Sequence, residues 1–434
     1  MIYLIIVTTF ICWIFLYLKT QYLLNPTGLI VLFWGCILSL SLFSITGIFV
    51  PSISTQLVFL LFIISITTGG LFSFGVKNSN CFVAERNKKF LFVCVLFIAT
   101  PVIFFLFYKG LKIISSEGYL AYIFKTRGEE GGEKLLFGDG YFRMINNYFI
   151  IPIIFTGVFV GNSFFFLKGE KLIFLVSITL LSIFTFLISA RNGFIMIFFI
   201  SFISYIFCNK YHKKKSLVSV NRIFSLITVF LILGIIYVTS FRARSSFTIW
   251  DTLTHYGVSY HTLGITMFDL TLNDTDGYLN DNLTLGRATF GLPDQILEIA
   301  SRRIDSEGVR SVSRELVREM DKQVLVGYQD WRPGNSYYAN AFYTILYPLY
   351  LDFRIFGIIF GGLMYGFLLN FYFLSWRNNS NNTFYFCMLI ILFYIGYNSA
   401  FMPIVIRNIF WPFIFLTIII FKITFPTILL KLKR

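Results

Sequence analysis

The sequence predicts an all-α, polytopic integral membrane protein with about eleven transmembrane helices and one large helical loop on the outer side. Hydrophobic residues make up 57% of its 434 residues, charged residues only 13%, and the mean hydropathy is +0.76. A soluble domain carries about 25% charged residues, so the polar groups here are too few to cover a water-facing surface. Apolar runs of about 20 residues, the length that crosses a bilayer, recur along the chain.

The apolar runs divide the chain into three regions. Residues 1–240 hold eight spans and an outer loop at 109–144, residues 241–354 form the large outer loop, and residues 355–434 hold three spans. The first span lacks the basic start and the cleavage site of a signal peptide, so we expect it to be retained. The predicted spans are 2–18, 28–50, 55–76, 90–108, 145–167, 172–189, 193–208, 223–240, 355–375, 383–402 and 408–428.

The distribution of basic residues predicts that the N-terminus lies outside and the C-terminus inside. In that orientation sixteen lysines and arginines but only two glutamates fall in inner segments, and the outer segments sum to zero charge. Short cytoplasmic loops keep an excess of lysine and arginine. Orientation therefore accounts for the net charge of +15, and no nucleic-acid partner is expected.

The middle of the large outer loop, from Asp294 to Val324, has the period of an amphipathic helix with a break near Gly308. Four arginines fall on another face, which is either a solvated charged face or a set of ligands for lipid or substrate phosphates. We expect the segment to lie on the outer membrane surface and the individual arginines to be solvated. The apolar stripe consists of Ile296, Ile299, Ile304, Val312, Leu316, Met320 and Val324, and the arginines are Arg303, Arg310, Arg314 and Arg318.

Two polar features near the spans are candidates for a functional site. Arg191 stands in the turn between the sixth and seventh spans, where it can face an outward cavity or serve as an interfacial anchor. A second cluster follows the eighth span. Its histidines are six residues apart, a spacing that does not favour a shared metal ion, and each is either a proton acceptor or an ordinary loop histidine. The cluster consists of Arg242, Arg244, Asp251, His255 and His261.

The third feature is the stretch from Trp331 to Arg354, which leads into the ninth span. Residues 341–351 are apolar, too short to cross a bilayer, and contain Pro348. This pattern predicts a half-buried or re-entrant helix that ends at Asp352, at the membrane edge. Irregular backbone at that depth occurs where it lines protein or a wet cavity, and ionisable groups there are functional candidates.

The motif in this stretch resembles bacterial oligosaccharide repeat-unit polymerases, the Wzy-type O-antigen and capsule polymerases. It reads Tyr343-Thr344-x3-Pro348-x-Tyr350-x-Asp352-Phe353 and enters a glycine-containing span after a long outer loop. The Ser-Ala-Arg-Asn-Gly turn at 189–193 is similar to that group as well. The likeness in layout covers most of the chain, whereas the recognisable motif covers 335–357.

Three positions depart from the family pattern. Ala341 stands where asparagine is common, Tyr347 where arginine is common, and Arg354 where glycine is common. Asn340 lies one position from the first, and Arg332 or Arg354 is a candidate replacement for the missing cation.

The resemblance implies a multi-pass glycosyltransferase of the bacterial inner membrane, similar in fold to the GT-C class and acting in lipopolysaccharide biosynthesis. Its implied substrate is an undecaprenyl-diphosphate-linked oligosaccharide. The growing chain leaves its carrier at the periplasmic face and is added to the sugar of an incoming unit. The implied partners also include membrane lipid and a chain-length regulator, and no cofactor is implied.

Such a reaction needs groups that stabilise a leaving diphosphate and a group that accepts the proton of the acceptor hydroxyl. The acidic residues at 274, 276 and 281 lie in a tip-like loop rather than a magnesium site, so arginines are favoured and no metal is expected. The catalytic candidates are Asp352, which orients or deprotonates the acceptor, His255 and Arg191, with His261 and Asp251 as weaker candidate bases. The diphosphate candidates are Arg191, Arg242, Arg244, Arg332 and Arg407, and the glycan candidates are Asn335, Tyr338, Asn340, Tyr343 and Tyr350.

Other functions predict other patterns. An O-antigen ligase shares the layout and is separated by its product, so it is the second hypothesis. A flippase or other transporter typically has paired halves, broken helices with midplane charges and short loops, whereas no acidic residue falls in a predicted span here. A chain-length regulator is expected to have few spans and a large coiled outer domain.

Overall fold

The structure, a computed structural model, is mostly helical. Its compact parts form two units, and each unit combines segments that are distant in the sequence. The first unit comprises Met1–Val76, Ser246–Leu374 and Leu392–Arg407, and the second comprises Lys77–Ser245, Ser375–Ile391 and Asn408–Arg434. The structure describes residues 1–43, 47–75, 82–84, 87–119, 121–122, 125, 136, 138, 140–188, 190, 192–211, 224–226, 228–229, 258–273, 283–304, 309–328, 336–339, 343–402, 404–407 and 409–424.

The elements follow in chain order. The helices are α1 (Ile2–Thr20), α2 (Pro26–Ser41), α3 (Ile53–Phe72), α4 (Lys88–Val93), α5 (Thr100–Glu117), α6 (Tyr141–Ile145), α7 (Ile151–Lys168), α8 (Leu172–Leu187), α9 (Asn192–Tyr211), α10 (Tyr260–Asn273), α11 (Gly291–Ile304), α12 (Val312–Met320), α13 (Leu346–Asn378), α14 (Thr383–Asn398) and α15 (Phe410–Ile420). The strands are β1 (Phe82–Ala84), β2 (Val324–Tyr328), β3 (Ser336–Ala339) and β4 (Lys422–Thr424). Short 3₁₀ turns lie at Ser73–Gly75 and Ile404–Ile406, and π-helical turns at Cys94–Ala99 and Asn146–Ile150.

Among the residues that the structure describes, six helical stretches are long and apolar enough to cross a membrane, which confirms an α-helical membrane protein. They are Ile2–Thr20, Ile53–Gly75, Lys88–Glu117, Tyr141–Lys168, Asn192–Tyr211 and Leu346–Asn378. Four shorter apolar helices, α2, α8, α14 and α15, coincide with further predicted spans. The predicted span at 223–240 falls outside the described elements, so the total of eleven stays a prediction.

Two of the long helices contain a π-helical turn directly before a proline. Pro101 and Pro152 are the second residues of α5 and α7. A proline has no amide N–H, and its ring clashes with the carbonyl four residues earlier. The amide of Thr100 instead bonds five residues back, and so does that of Ile151, which widens the turn and lets the helix continue. The first of these helices runs on to Glu117, so the start of the predicted outer loop at 109–144 is helical.

A buried polar clamp joins three helices of the first unit. The amide nitrogen of Asn25 donates to the side-chain oxygen of Asn370 at 2.8 Å. Asn370 in turn donates to the carbonyl oxygen of Gly70 at 2.9 Å and to the Ser73 hydroxyl at 2.7 Å. Because both asparagines are buried, these bonds tie the start of α2 and the end of α3 to α13.

Backbone contact between α3 and α13 lies beside this clamp. A Cβ on Gly69 would lie 2.0 Å from the carbonyl oxygen of Leu363, and one on Gly366 would lie 1.9 Å from that of Ile66. Small residues let membrane helices approach closely where no hydrophobic force draws them together. The glycines therefore explain how α3 and α13 pack at this distance.

The second unit is centred on α7. The span that ends in α7 is 94% buried, and α7 packs against α8, α9 and α15. Within it, Asn162 donates to the Ser204 hydroxyl at 2.6 Å. At the end of α8, the Tyr122 hydroxyl donates to the carbonyl oxygen of Leu187 at 2.5 Å, and burial raises the pKa of Tyr122 above its ordinary value.

The large outer loop contains strands as well as helices. The amphipathic segment forms α11 and α12, as the break near 308 predicts, but the predicted helical stripe is wrong at Val324, which begins β2. β2 pairs antiparallel with β3, with Val324 opposite Ala339. Ile48 bridges to Gly327 on the same strand. The β-branched residues and the backbone pairing at 47–49 favour an extended strand here.

Candidate functional site

The predicted motif segment forms a helical hairpin, which we call the α13 hairpin. Its first arm ends at Asp352, where Phe353 has φ −144° and Arg354 has φ 53° and ψ −137°. The chain then folds back, since a Cβ on Gly357 would lie 2.1 Å from the carbonyl oxygen of Leu349. The predicted short helix ending at Asp352 is therefore present, and it packs against the start of the long arm.

The carboxylate of Asp352 holds residues 284–289, which we call the anchored loop. Its Oδ1 accepts a hydrogen bond from the Thr284 hydroxyl at 2.5 Å and from the amides of Gly286 and Ala288 at 2.9 Å each. Its Oδ2 accepts one from the amide of Thr289 at 2.9 Å. Asp352 is only 1% exposed. The carboxylate is therefore an anchor for this loop, and its role toward an acceptor stays a prediction.

Two residues close to this carboxylate, one in the anchored loop and one in the α13 hairpin, have a strained backbone with positive φ. Leu285 in the anchored loop has φ 52°, and Arg354 in the α13 hairpin has φ 53°. Left-handed backbone costs a residue other than glycine about 1–3 kcal/mol and persists where the surroundings enforce it. The four hydrogen bonds to Asp352 supply that enforcement for Leu285.

A second acidic network fixes α11 to α12. The Arg287 Nε donates to Oδ1 of Asp294 at 2.6 Å, and the Ser311 hydroxyl donates to Oδ2 at 2.7 Å. One turn further along α11, Glu298 pairs with Arg314 at 3.1 Å. Asp294 and Glu298 are both buried. Because each buried carboxylate meets a guanidinium, the polar side of α11 faces the protein.

A third buried carboxylate, Asp269, caps α3. Its Oδ1 accepts hydrogen bonds from the amide of Ser52 at 3.1 Å and from the hydroxyl of Thr55 at 2.7 Å, and the Ser52 hydroxyl also donates to it. A carboxylate at a helix N-terminus is stabilised by the unpaired amides there. Asp269 therefore fastens α10, which belongs to the large loop, to the start of a membrane helix.

His261 lies on α10 in an aromatic setting. Its Nε2 is 3.3 Å from the hydroxyl oxygen of Tyr397. Its ring centroid is 5.3 Å from that of Phe401 and 6.1 Å from that of Phe33. The half-buried histidine thus lies beside the Tyr397 hydroxyl and between the rings of Phe401 and Phe33.

The motif residues meet α10 one turn after His261. A Cβ on Gly264 would lie 3.1 Å from the Cγ2 of Thr344, and Tyr343 stacks on Tyr347 with ring centroids 5.3 Å apart. Thr344 is fully buried, and its hydroxyl has no hydrogen-bond partner within the described part of the chain. The structure therefore brings the Tyr343–Thr344 part of the motif beside the helix that carries His261.

Arg354 projects over a second motif aromatic. Its guanidinium carbon is 5.2 Å from the centroid of the Tyr350 ring, and that ring lies T-shaped to Phe268 of α10 with the centroids 6.2 Å apart. A guanidinium over an aromatic face is attracted by the ring quadrupole. Arg354 lies two residues after Asp352, at a position where the polymerase pattern described above commonly has glycine.

The structure places six of the predicted site residues, counting His261 on α10. Asp352 and Tyr350 belong to the α13 hairpin and Tyr343 lies just before it, whereas Tyr338 lies half-exposed on β3. Arg407 is half-buried and follows Ile406, whose carbonyl oxygen lies against the start of α11. The remaining predictions fall outside the described residues and stay predictions. They are Arg191, Arg242, Arg244, Asp251, His255, Arg332, Asn335 and Asn340.

Sequence reasoning missed the anchored loop and Tyr397. The backbone amides at 286, 288 and 289 carry no side-chain signal, and the anchored loop meets Asp352 across 63–68 residues of sequence. Tyr397 stands in an apolar run that contains other aromatic residues, so nothing in the sequence distinguishes it as a partner of His261. Only the fold shows that both contribute to this region.

Within the described residues there is no group of three histidines, cysteines, aspartates or glutamates that could hold a metal ion. The chain matches no family model, no curated protein and no solved structure.

Proposed function

We propose that this protein is a polytopic membrane glycosyltransferase that joins undecaprenyl-diphosphate-linked oligosaccharide repeat units at the periplasmic face of the bacterial inner membrane, as an O-antigen polymerase does. One observation carries the proposal. The motif that resembles these polymerases, Tyr343 to Asp352, meets the helix of His261 and the anchored loop within the first unit. An O-antigen ligase is the alternative, and its product separates the two.

The contacts within the first unit agree with the predicted alternation of the spans, while the N-out, C-in orientation itself is proposed from the charge distribution. Segments that the charge distribution assigns to the outer side contact one another, because residues 47–49 pair with β2 and Asp269 caps α3. Asn25, Ser73 and Asn370, which lie near predicted inner segments, likewise meet in the buried clamp. A chain with N-out, C-in topology has these two groups on opposite sides of the bilayer.

The proposed reaction needs one proton acceptor. The acceptor sugar hydroxyl oxygen forms a bond to C1 of the donor sugar, and the bond from C1 to the diphosphate oxygen breaks with its electron pair leaving on the diphosphate. The hydroxyl proton passes to a base. We assign this role to His261: when its Nε2–H donates to the Tyr397 oxygen, Nδ1 carries the lone pair that accepts a proton.

The leaving diphosphate needs cations. Arginine offers a planar pair of donors that matches phosphate oxygens, and we assign this role to Arg191, Arg242, Arg244, Arg332 and Arg407, with Arg354 added. Arg354 joins the set because its guanidinium lies over the motif residue Tyr350. The anchored loop is fixed by its hydrogen bonds to Asp352, which stands two residues before Arg354.

The test is polymerisation by the purified full-length protein in nanodiscs, supplied with its lipid-linked repeat units. A ladder of lengthening glycans, unchanged by a chelator, supports the proposal. Transfer to a lipid A core without lengthening would indicate a ligase, and transbilayer movement without a new glycosidic bond would indicate a transporter. Either result would contradict the polymerase assignment.

Arg191→Ala is expected to lower chain lengthening by about 10²–10³-fold, the effect of removing one group that stabilises a developing oxyanion. The measurement is the lipopolysaccharide ladder in a strain that lacks the native gene, with expression checked by immunoblot. Arg318→Ala, at an exposed position on α12, is the matched control and should give a normal ladder. A full-length ladder from expressed Arg191→Ala protein would remove this residue from the site.

Arg354→Gly is expected to raise stability and to lower activity. Glycine adopts φ 53° without the cost of about 1–3 kcal/mol that a side chain incurs there, so the melting temperature should rise. Loss of the guanidinium should slow polymerisation measured on the same preparation. Arg354→Lys, which keeps the charge and the strained backbone, is the control. A lower melting temperature or an undiminished rate for Arg354→Gly would contradict the assignment.

A further inference from the structure

In helix α11 the polar side is buried against the protein and the apolar side is exposed, the reverse of an amphipathic helix on a soluble protein. Its buried side carries Asp294, Gln295 and Glu298, whereas Ile296 and Leu297 are 56% and 47% exposed. The sequence pattern predicts these apolar residues as part of one stripe with Leu316 and Met320. In the structure the residues of this stripe have two environments, because Leu316 and Met320 are buried and the α11 residues are exposed.

The exposed residues of α11 form one continuous face. Residues 293 and 297 are four apart, as are 296, 300 and 304, so their side chains lie in adjacent rows on the helix. This face lies opposite the carboxylates that meet Arg287 and Arg314. We call it the α11 apolar face, and it consists of Pro293, Ile296, Leu297, Ile299, Ala300 and Ile304.

The anchored loop connects α11 to the end of a membrane helix that is itself exposed and apolar. The chain reaches α11 through the anchored loop, whose Leu285 is 68% exposed and held in left-handed backbone. That loop is hydrogen-bonded to Leu351 and Asp352, directly before the long arm of α13. On that arm Phe356 is 79% exposed, as the lipid-facing residues of a membrane-crossing helix are.

We propose that α11 is an interfacial helix whose apolar face docks into the acyl chains of the membrane leaflet. Lipid is the occupant that the connection to α13 indicates, because the exposed Leu285 lies in the loop that joins α11 to residues 351–352, directly before the arm that carries the exposed Phe356. A helix with a strong apolar face and a charged opposite face lies in the plane of the interface. Here the charged face is turned toward the protein and neutralised by Arg287 and Arg314, so the helix meets lipid without exposing a carboxylate to it. This inference depends on membrane embedding and is independent of the proposed reaction.

The test places a benzophenone-bearing amino acid at position 296 or 297 of the full-length protein in nanodiscs. Irradiation inserts the benzophenone into nearby C–H bonds, and mass spectrometry of the digested protein identifies the adduct. Position 356 is the lipid-facing reference, and the exposed Lys322 on the turn after α12 is the aqueous reference. We expect lipid adducts at 296 and 297 with a yield close to that at 356 and several-fold above that at 322.

Two results would overturn the inference. Yields at 296 and 297 as low as that at 322 would show that the α11 apolar face is in water. Crosslinks to protein at both positions, seen as a species of higher mass on a denaturing gel, would show that a second copy of the chain or another protein covers it. Since both positions are exposed, the substitutions leave the buried pairs of α11 intact.

Discussion

Replacing Asp352 with alanine is expected to release the anchored loop and to lower the free energy of unfolding by about 3 kcal/mol or more. Each buried donor left without an acceptor costs about 1–3 kcal/mol, and Thr284, Gly286, Ala288 and Thr289 all lose theirs. The bonds that hold Leu285 in its left-handed conformation disappear at the same time. The expected effect is therefore larger than that of any single cap or surface ion pair in the described residues.

The measurement uses trypsin, because Arg287 stands inside the anchored loop and pairs with Asp294 in the intact protein. The full-length Asp352→Ala protein in detergent should be cleaved after Arg287 much faster than the wild type, with a lower melting temperature. Thr284→Ala removes one of the four donors and should show a small effect. Asp321→Ala, at an exposed acidic residue, is the matched control. Equal cleavage rates in wild type and Asp352→Ala would refute the anchoring role.

His261→Gln is expected to reduce the rate of polymerisation by about 10²–10⁴-fold, the usual contribution of a general base. Glutamine retains a hydrogen-bonding group toward Tyr397 but has no basic nitrogen, so kcat should fall while KM for the lipid-linked unit changes little. The measurement is single-turnover lengthening by the nanodisc-embedded protein. This prediction rests on the proposed function.

A purely structural role for His261 would produce a different pattern. In that case the hydrogen bond that glutamine retains toward Tyr397 would keep both the melting temperature and the rate near their wild-type values. Tyr260→Phe, on the preceding position of α10, is the control and should leave the rate unchanged. Wild-type kcat in the His261→Gln protein would transfer the role of base to another residue, with His255 the next candidate.

The sequence predicts the apolar helices well because their signal is local. A run of some 20 apolar residues needs no partner to be identified, and Pro348 followed by an acidic residue predicts the end of a short helix at Asp352. The π-helical turns inside two of these spans are not predicted, since hydropathy alone does not show how a helix accommodates Pro101 or Pro152.

The environment of each helix face needs the fold. Periodicity separates the polar and apolar sides of α11 but does not show which side meets protein. Asp294 and Glu298 face the protein because they pair there with Arg287 and Arg314. The partners of Asp352 are backbone amides, which every residue type supplies. The left-handed backbone of Arg354 likewise has no signature in an arginine. Site residues defined by such contacts emerge only from the three-dimensional structure.

The Asn25–Asn370 clamp has a consequence for how the protein is made. Its partners are 345 residues apart in the chain, and Asn370 reaches Gly70 and Ser73 across 300 and 297 residues. At a synthesis rate of about 5–20 residues per second, the first three helices wait in the membrane on the order of 15–70 s before α13 arrives. During that interval the Asn25 side chain lacks its Asn370 partner, and the glycine surface of α3 faces lipid or the insertion machinery. The first unit can therefore reach its final packing only late in translation, and its early helices are the part of the nascent chain most in need of a temporary partner.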